Sequence, residues 1–397
     1  MKKSNKTKNP PVCCSSCGTT MAKNPELDFI KDSEGLILCS ECINYFNIAK
    51  EQIEAQRNAH ELENKESSQQ KSDLPDPHSL YDFLSKKVVG QDDAKKSLAI
   101  AVSHHYRRLQ DPSIGKSNVL IIGPTGTGKT ELCRAIAENL KVPFVSADAT
   151  TFTTKGYVGE DVDSVVSRLL GSCSWNVDAT EHGIIFIDEI DKIARRGSGE
   201  NNVGTIAVQQ ELLRLMEGDN VKVNIPSQNP GGEFVFVDTS KILFICAGAF
   251  VGLEEVVAKQ HARPMGLSTN LEEKFDSWSD SIESKHLIQY GLIPELLGRL
   301  PVVTFTKKLD KTQLLSIMKD VDNSITAQYK KLFNMDDVSV DFDDSFFEDV
   351  ALLAIKKDLG ARGLRQIIEA KMKPIFFDIS KYKGQKIKIF TDKVEIF

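Results

Sequence analysis

Two groups of residues in this chain carry recognisable chemistry. The first is Gly123-Pro124-Thr125-Gly126-Thr127-Gly128-Lys129-Thr130, which fits G-x-x-x-x-G-K-[ST] at every fixed position. Glycines there let backbone N–H groups close around phosphate oxygens, and a helix starting at the lysine presents its positive end to them. The Lys129 ammonium suits the β- and γ-phosphates of ATP, and the Thr130 hydroxyl suits Mg²⁺. Its counterpart is Ile184-Ile185-Phe186-Ile187-Asp188-Glu189, an apolar run ending in two carboxylates. Asp188 suits the Mg²⁺ shell and Glu189 the polarisation of an attacking water.

The second group is sulfur. Five of the eight cysteines lie between Cys13 and Cys42. Cys14-x2-Cys17 and Cys39-x2-Cys42, with 21 residues between them, fit a tetrahedral Zn²⁺ site in which each pair forms a tight turn presenting two thiolates. Reactive dithiols are the competing reading. Four sulfurs with no histidine or carboxylate make a closed, structural site. Cys13 is adjacent, but Cys13-x3-Cys17 is a less regular knuckle. Cys133, Cys173 and Cys246 are scattered in apolar text and read as buried thiols.

The elements that must position these residues follow from hydrophobic patterning. Val119–Ile122, Phe144-Val145, Ile184–Ile187 and Ile242–Ile245 are short apolar runs, as expected of strands buried on both faces. Helical spacing fills the gaps: Ala94, Leu98, Ala101, Val102 and Leu109 before the first run, then Leu132, Ala135, Ile136 and Leu140 after it. Such alternation implies a parallel sheet covered by helices. After Pro301 the text turns mainly helical, with a β-rich end at 386–397. Residues 49–77 are polar and charged and read as a linker.

The 397 residues suit two or three domains. A net charge of −6 argues against a chain built mainly to neutralise nucleic-acid phosphates. The longest mostly apolar run, Ile242–Leu253, is too short for a membrane span, and the polar, lysine-rich start is not a signal peptide. A cytoplasmic protein with no membrane partner is expected.

The nucleotide motifs resemble those of the AAA+ ATPases, and further text is similar to their ClpX family. Val88-Val89-Gly90-Gln91 precedes the first long helix, and Gly156-Tyr157-Val158-Gly159 follows the second strand. The run Leu292–Pro301 contains Gly298-Arg299, and Gly360-Ala361-Arg362-Gly363 lies near the end. The resemblance implies an α/β fold: an AAA+ P-loop large domain plus a small α-rich domain, with an N-terminal four-cysteine zinc module. The implied boundaries are 1–48 for the module, 49–78 for the charged linker, 79–300 for the large domain and 301–397 for the small one. It also implies that Val89 lies near adenine and that Tyr157 and Val158 grip a polypeptide in an axial pore. Arg299 would reach a neighbouring subunit's nucleotide and Arg362 would contact the nucleotide in cis. The implied assembly is a homohexamer that unfolds protein substrates, meets adaptors through the zinc module, and delivers chains to the ClpP peptidase.

Two stretches depart from the family. The peptidase-docking loop matches Met265-Gly266-Leu267, with Leu267 where the family has an aromatic. The stretch 226–233, at the implied pore entrance, has no basic residue, although Arg195 and Arg196 lie in a neighbouring loop. A remodelling chaperone that works without ClpP is therefore the alternative, and a nucleic-acid-handling factor is a remote one.

Overall fold

In the buried strands, successive side chains face opposite ways, and the structure uses both faces. In this computed structural model, the described residues are 13–17, 19–20, 28–31, 36–40, 42, 74–153, 159–194, 201–225, 233–261, 282–321, 324–391 and 393–397. They fall in two units, 1–73 and 74–397. The larger unit is built on five parallel strands: β1 (Val119–Ile122), β2 (Phe144–Asp148), β3 (Ile184–Asp188), β4 (Leu243–Gly248) and β5 (Val302–Phe305), in spatial order β5-β1-β4-β3-β2. Four of these match the apolar runs read from sequence. The fifth, β5, lies in text read as the start of the helical region and pairs with β1 from Val302↔Val119 to Phe305↔Ile122.

Leu120, Ile122, Ile185, Ile187, Phe244 and Cys246 pack into one core, against helices that include α2 (Asn201–Glu217). Val119, Ile121, Ile184, Phe186, Leu243 and Ile245 pack into the other, against the helices Pro77–Lys87, Asp92–Gln110 and α1 (Lys129–Leu140). The result is a three-layer α/β sandwich. Cys133 and Cys246 are fully buried, and burial pushes both thiols up. Cys173 is half-buried, within 2.9 Å of Thr180 Oγ1.

A third core gathers Leu314, Met318, Phe333, Phe346, Leu364 and Ile368. It belongs to four helices, Lys311–Lys319, Ile325–Met335, Asp344–Lys356 and Gly360–Phe377, beside a small sheet of Ser339–Phe342, Lys386–Ile389 and Val394–Ile396. Asp310 starts the first helix with a capping box completed by Gln313. The last long helix matters most for the site. Its second residue, Ala361, donates its N–H to Gly126 O at 3.0 Å.

That contact brings two backbones together at two glycines. Gly126 and Gly360 have φ of +75° and +56°, and a Cβ added to Gly126 would lie 2.7 Å from Leu359 O. Gly126→Ala would therefore combine left-handed strain with a backbone collision. It should cost about 1–3 kcal/mol of stability, read as a lowered urea midpoint. An unchanged midpoint would show that the two backbones can part freely.

Candidate nucleotide-binding site and cysteine centre

The phosphate loop runs from the end of β1 into the first turn of α1. Its β1 end is fixed by main-chain bonds: Gly123 N donates to Gly248 O at 3.1 Å, and Thr306 N donates to Ile122 O at 2.8 Å. Gly126 and Gly128 adopt positive φ, as a loop curling its N–H groups inward requires. Thr127 Oγ1 lies 2.8 Å from Thr306 Oγ1 in a buried pair. Pro124 and Thr125 complete the loop, with Thr125 at its exposed tip.

The Lys129 ammonium is buried and donates to Gly123 O at 2.7 Å and Pro124 O at 2.8 Å. Burial pushes its pKa down, opposed by Asp188, Asp191 and Glu189. Phosphate oxygens offer that ammonium shorter, charge-assisted bonds in place of neutral carbonyls. Thr130 Oγ1 sits 3.4 Å from Asp188 Oδ2, so a hydroxyl and a carboxylate converge as a hard divalent cation requires. Glu189 follows at φ +54°, its N–H bound by Asp188 Oδ1 at 2.9 Å. A non-glycine residue in the left-handed region is uncommon and costs free energy. Here that geometry sets the second carboxylate off the line of β3.

The sequence reading missed Thr306 and Asp191 in this site, and it named Gln91 only within the run Val88–Gln91 without its partner. Thr306 is fully buried against the loop, yet as a polar residue after an apolar run it carries no signal of its own. Gln91 lies at φ +61°, and its amide binds Lys307 at both ends: Nε2 to Lys307 O at 2.7 Å, and Lys307 N to Oε1 at 2.8 Å. Gly90, Gln91, Phe305, Lys307 and Gln313 line a cleft of about 180 Å³ there. Val89, placed near adenine by the resemblance, is half-buried just before this cleft. Asp191 is the other residue missed. It is buried, and its Oδ1 accepts the Ala249 N–H at 3.1 Å. Its Oδ2 has no hydrogen-bond partner among the described residues and lies 4.0 Å from Lys192 Nζ.

Two arginines complete the candidates. Arg362 is exposed in the first turn of the helix that touches Gly126, and it makes no hydrogen bond or ion pair among the described residues. Arg299 lies elsewhere. Asn118 Nδ2 donates to Arg299 O at 3.0 Å, and Asn118 immediately precedes β1. Arg299 thus sits at the N-terminal edge of the sheet and the phosphate loop at the C-terminal edge. The four residues of β1, at about 3.3 Å each, separate them by roughly 13 Å. Tyr157, Val158, Met265, Gly266 and Leu267 lie outside the described residues, as do Arg195, Arg196, residues 226–232 and the linker up to residue 73.

In the smaller unit, a short antiparallel pair, Phe29–Lys31 with Ile37–Cys39, carries one knuckle. The other is held to it by Ser15 N to Ile37 O at 2.7 Å. The sulfurs of Cys14, Cys17, Cys39 and Cys42 all lie within 4.8 Å of one another, and those of Cys17 and Cys39 are 3.7 Å apart. Four thiolates at about 2.3 Å around Zn²⁺ would stand about 3.8 Å apart, so the set is compatible with zinc. A backbone hydrogen bond from Cys17 is the main cause lowering the Cys14 thiol to about 6, which favours the thiolate a metal needs. Cys13 is exposed, bridges to Thr20 and stands outside the set.

Comparison with known proteins agrees with this architecture. The AAA domain (Cdc48 subfamily) matches residues 115–303, and the C-terminal D2-small domain of ClpB protein matches 309–385. A Porphyromonas gingivalis protein named ATP-dependent Clp protease ATP-binding subunit ClpX is 40% identical over 399 residues, covering 96% of this chain and 94% of that one. A Bacteroides thetaiotaomicron protein of the same name is 40% identical over 400 residues, with the same coverage. One from Borrelia duttonii is 39% identical over 394 residues, covering 95% of this chain and 89% of its own. Among the described residues, no helix is long and apolar enough to cross a membrane. With a phosphate loop, paired carboxylates, a helical core docked on that loop and a four-cysteine centre, all within a chain aligned almost end to end with these relatives, this protein belongs to the ClpX family of AAA+ ATPases.

Proposed function

We propose that this chain is an ATP-driven protein unfoldase of the cytoplasm, working as a homohexameric ring that threads substrates through its pore and passes them to ClpP. The division follows the sequence reading: zinc module, linker, large ATPase domain and small domain. The observation that carries the proposal is the main-chain contact between Gly126 and Ala361, because it ties the phosphate loop to the helical core. A group bound in the loop would bear on that contact and so on the angle between the two parts.

In this reading the loop N–H groups and Lys129 hold the ATP phosphates, and Thr130 and Asp188 hold Mg²⁺. The chemistry supplied there when the cation is bound would be neutralisation of the charge that develops on the phosphates. Glu189 accepts a proton from the attacking water, and Arg362 meets the same nucleotide from the helical core. Arg299 is too far along the sheet to serve its own loop, which supports a role at a neighbour's and therefore a ring. Tyr157 and Val158 would grip the substrate, and Cys14, Cys17, Cys39 and Cys42 would hold zinc and present the module to substrates and adaptors.

One observation favours a second reading, a remodelling chaperone independent of ClpP. Leu267 replaces the aromatic anchor of the docking loop, and such an anchor at an interface hot spot is worth about 2 kcal/mol or more.

Three outcomes test these statements. Glu189→Gln should retain ATP binding in a fluorescent-nucleotide titration while turnover falls at least about 100-fold; undiminished turnover would remove Glu189 from the reaction. A tagged, folded fluorescent protein should lose its fluorescence with ATP, and ClpP should convert that loss into degradation. Unfolding that ClpP leaves unchanged would select the second reading, and no unfolding would refute both. Cys39→Ser should abolish stoichiometric zinc, measured by elemental analysis, while leaving basal ATPase activity in place.

A further inference from the structure

Among the described residues, the guanidinium of Arg299 is held on one side only. Its Nε and Nη2 donate to Glu217 Oε1 at 3.0 and 2.8 Å. Of the five N–H bonds of a guanidinium, these two lie along one edge, and both N–H bonds of Nη1 remain on the other. The backbone beneath is fixed as well: Arg299 N donates to Leu296 O at 3.0 Å, and Arg299 O accepts from the buried Asn118 amide. Only the side-chain torsions are left to order, and Glu217 orders them.

Glu217 is itself rigidly mounted. It is the last residue of α2, whose final turn is pinned by Lys116 Nζ to Met216 O at 3.1 Å and by Thr239 Oγ1 to Leu215 O at 2.9 Å. The middle of α2 holds the segment leading to Arg299. The buried Gln209 donates to Gly291 O at 3.3 Å and accepts from Ile293 N at 2.8 Å. The same side chain donates to Ile193 O at 2.8 Å, in the turn that follows Asp188 and Glu189. One helix therefore touches the carboxylate turn, the segment carrying Arg299 and the guanidinium.

We propose that Glu217 is a positioning residue for Arg299, docking one edge of the guanidinium so that the Nη1 edge is presented to a phosphoryl group of a neighbouring subunit. This rests on the reading that Arg299 acts in trans. The opposite role, sequestering the arginine, fits the geometry less well. Both side chains are about half exposed, and such a pair contributes little net stability. It can order a side chain without trapping it.

The test uses the full chain with Glu217→Ala, a surface change that should leave thermal unfolding unaltered. Loss of one pre-ordered long side chain should lower kcat by about three- to tenfold with little change in KM for ATP. Each variant is then mixed with an excess of Glu189→Gln subunits, which hydrolyse nothing themselves but offer an intact Arg299. Activity per Glu217→Ala subunit should rise back toward the unmixed wild-type value, and Arg299→Ala should rise in the same mixture. A Glu217→Ala defect that mixing leaves in place, while Arg299→Ala recovers, would overturn the proposal, as would wild-type or faster turnover. Failure of Arg299→Ala to recover would overturn the trans reading and the proposal together.

Discussion

The hydrogen bond from Ala361 N–H to Gly126 O is the constraint on which the rest of the site depends. A phosphate loop must expose N–H groups inward, so its carbonyls turn outward and need partners of their own. Here one of those carbonyls is satisfied by the first turn of a helix from a different hydrophobic core. Such a turn has free N–H groups to give. The approach is possible only because both residues at the crossing are glycines in left-handed conformations. Thr306 on Thr127 and Gln91 on Lys307 fix the same junction from the sheet side. The loop is thereby a shared part of two bodies.

Charge is arranged around that junction with equal economy. Lys129 is buried, which disfavours its ammonium, yet three carboxylates at the end of β3 and in the turn beyond oppose the effect. Those carboxylates cannot all be solvated. Asp188 is engaged by Thr130 Oγ1 and Glu189 N, and Asp191 by Ala249 N. The acids are thus held close enough to support the lysine, with Asp191 Oδ2 left without a hydrogen-bond partner among the described residues. The left-handed Glu189 backbone is the local cost of setting two consecutive carboxylates apart.

Much of this was legible in the sequence, for reasons that vary by residue. The apolar runs announced four strands because strands buried on both faces leave little room for polar residues, and the loop from Gly123 to Thr130 was legible because its backbone shape demands its glycines. The cysteine pairs were legible because metal geometry restricts spacing. β5 was not, since Val302–Phe305 is short and abuts helical text, and only its pairing with β1 reveals it. Thr306, Asp191 and the pairing of Gln91 were hidden for a different reason. Each acts through a partner distant in the chain, as Gln91 does with Lys307, and no local pattern encodes such a contact. The hairpin of Asn220–Ile225 with Glu233–Asp238 was missed likewise.

The parallel sheet also sets the phosphate loop and Arg299 at opposite strand ends. Because all five strands run the same way, every C-terminal strand end lies on the loop side and every N-terminal end on the Arg299 side. In the ring proposed above, an arginine on one edge and a phosphate loop on the other suit a head-to-tail contact between neighbours. Such contacts close into rings when the rotation allows. The same strands that carry the loop therefore act as struts between the loop edge and the Arg299 edge. A shift at the loop has a short, stiff path to the far edge through β1 to Asn118, and a second path through the turn after β3 to Gln209 and α2. Both paths end at Arg299, by way of its backbone carbonyl and of Glu217.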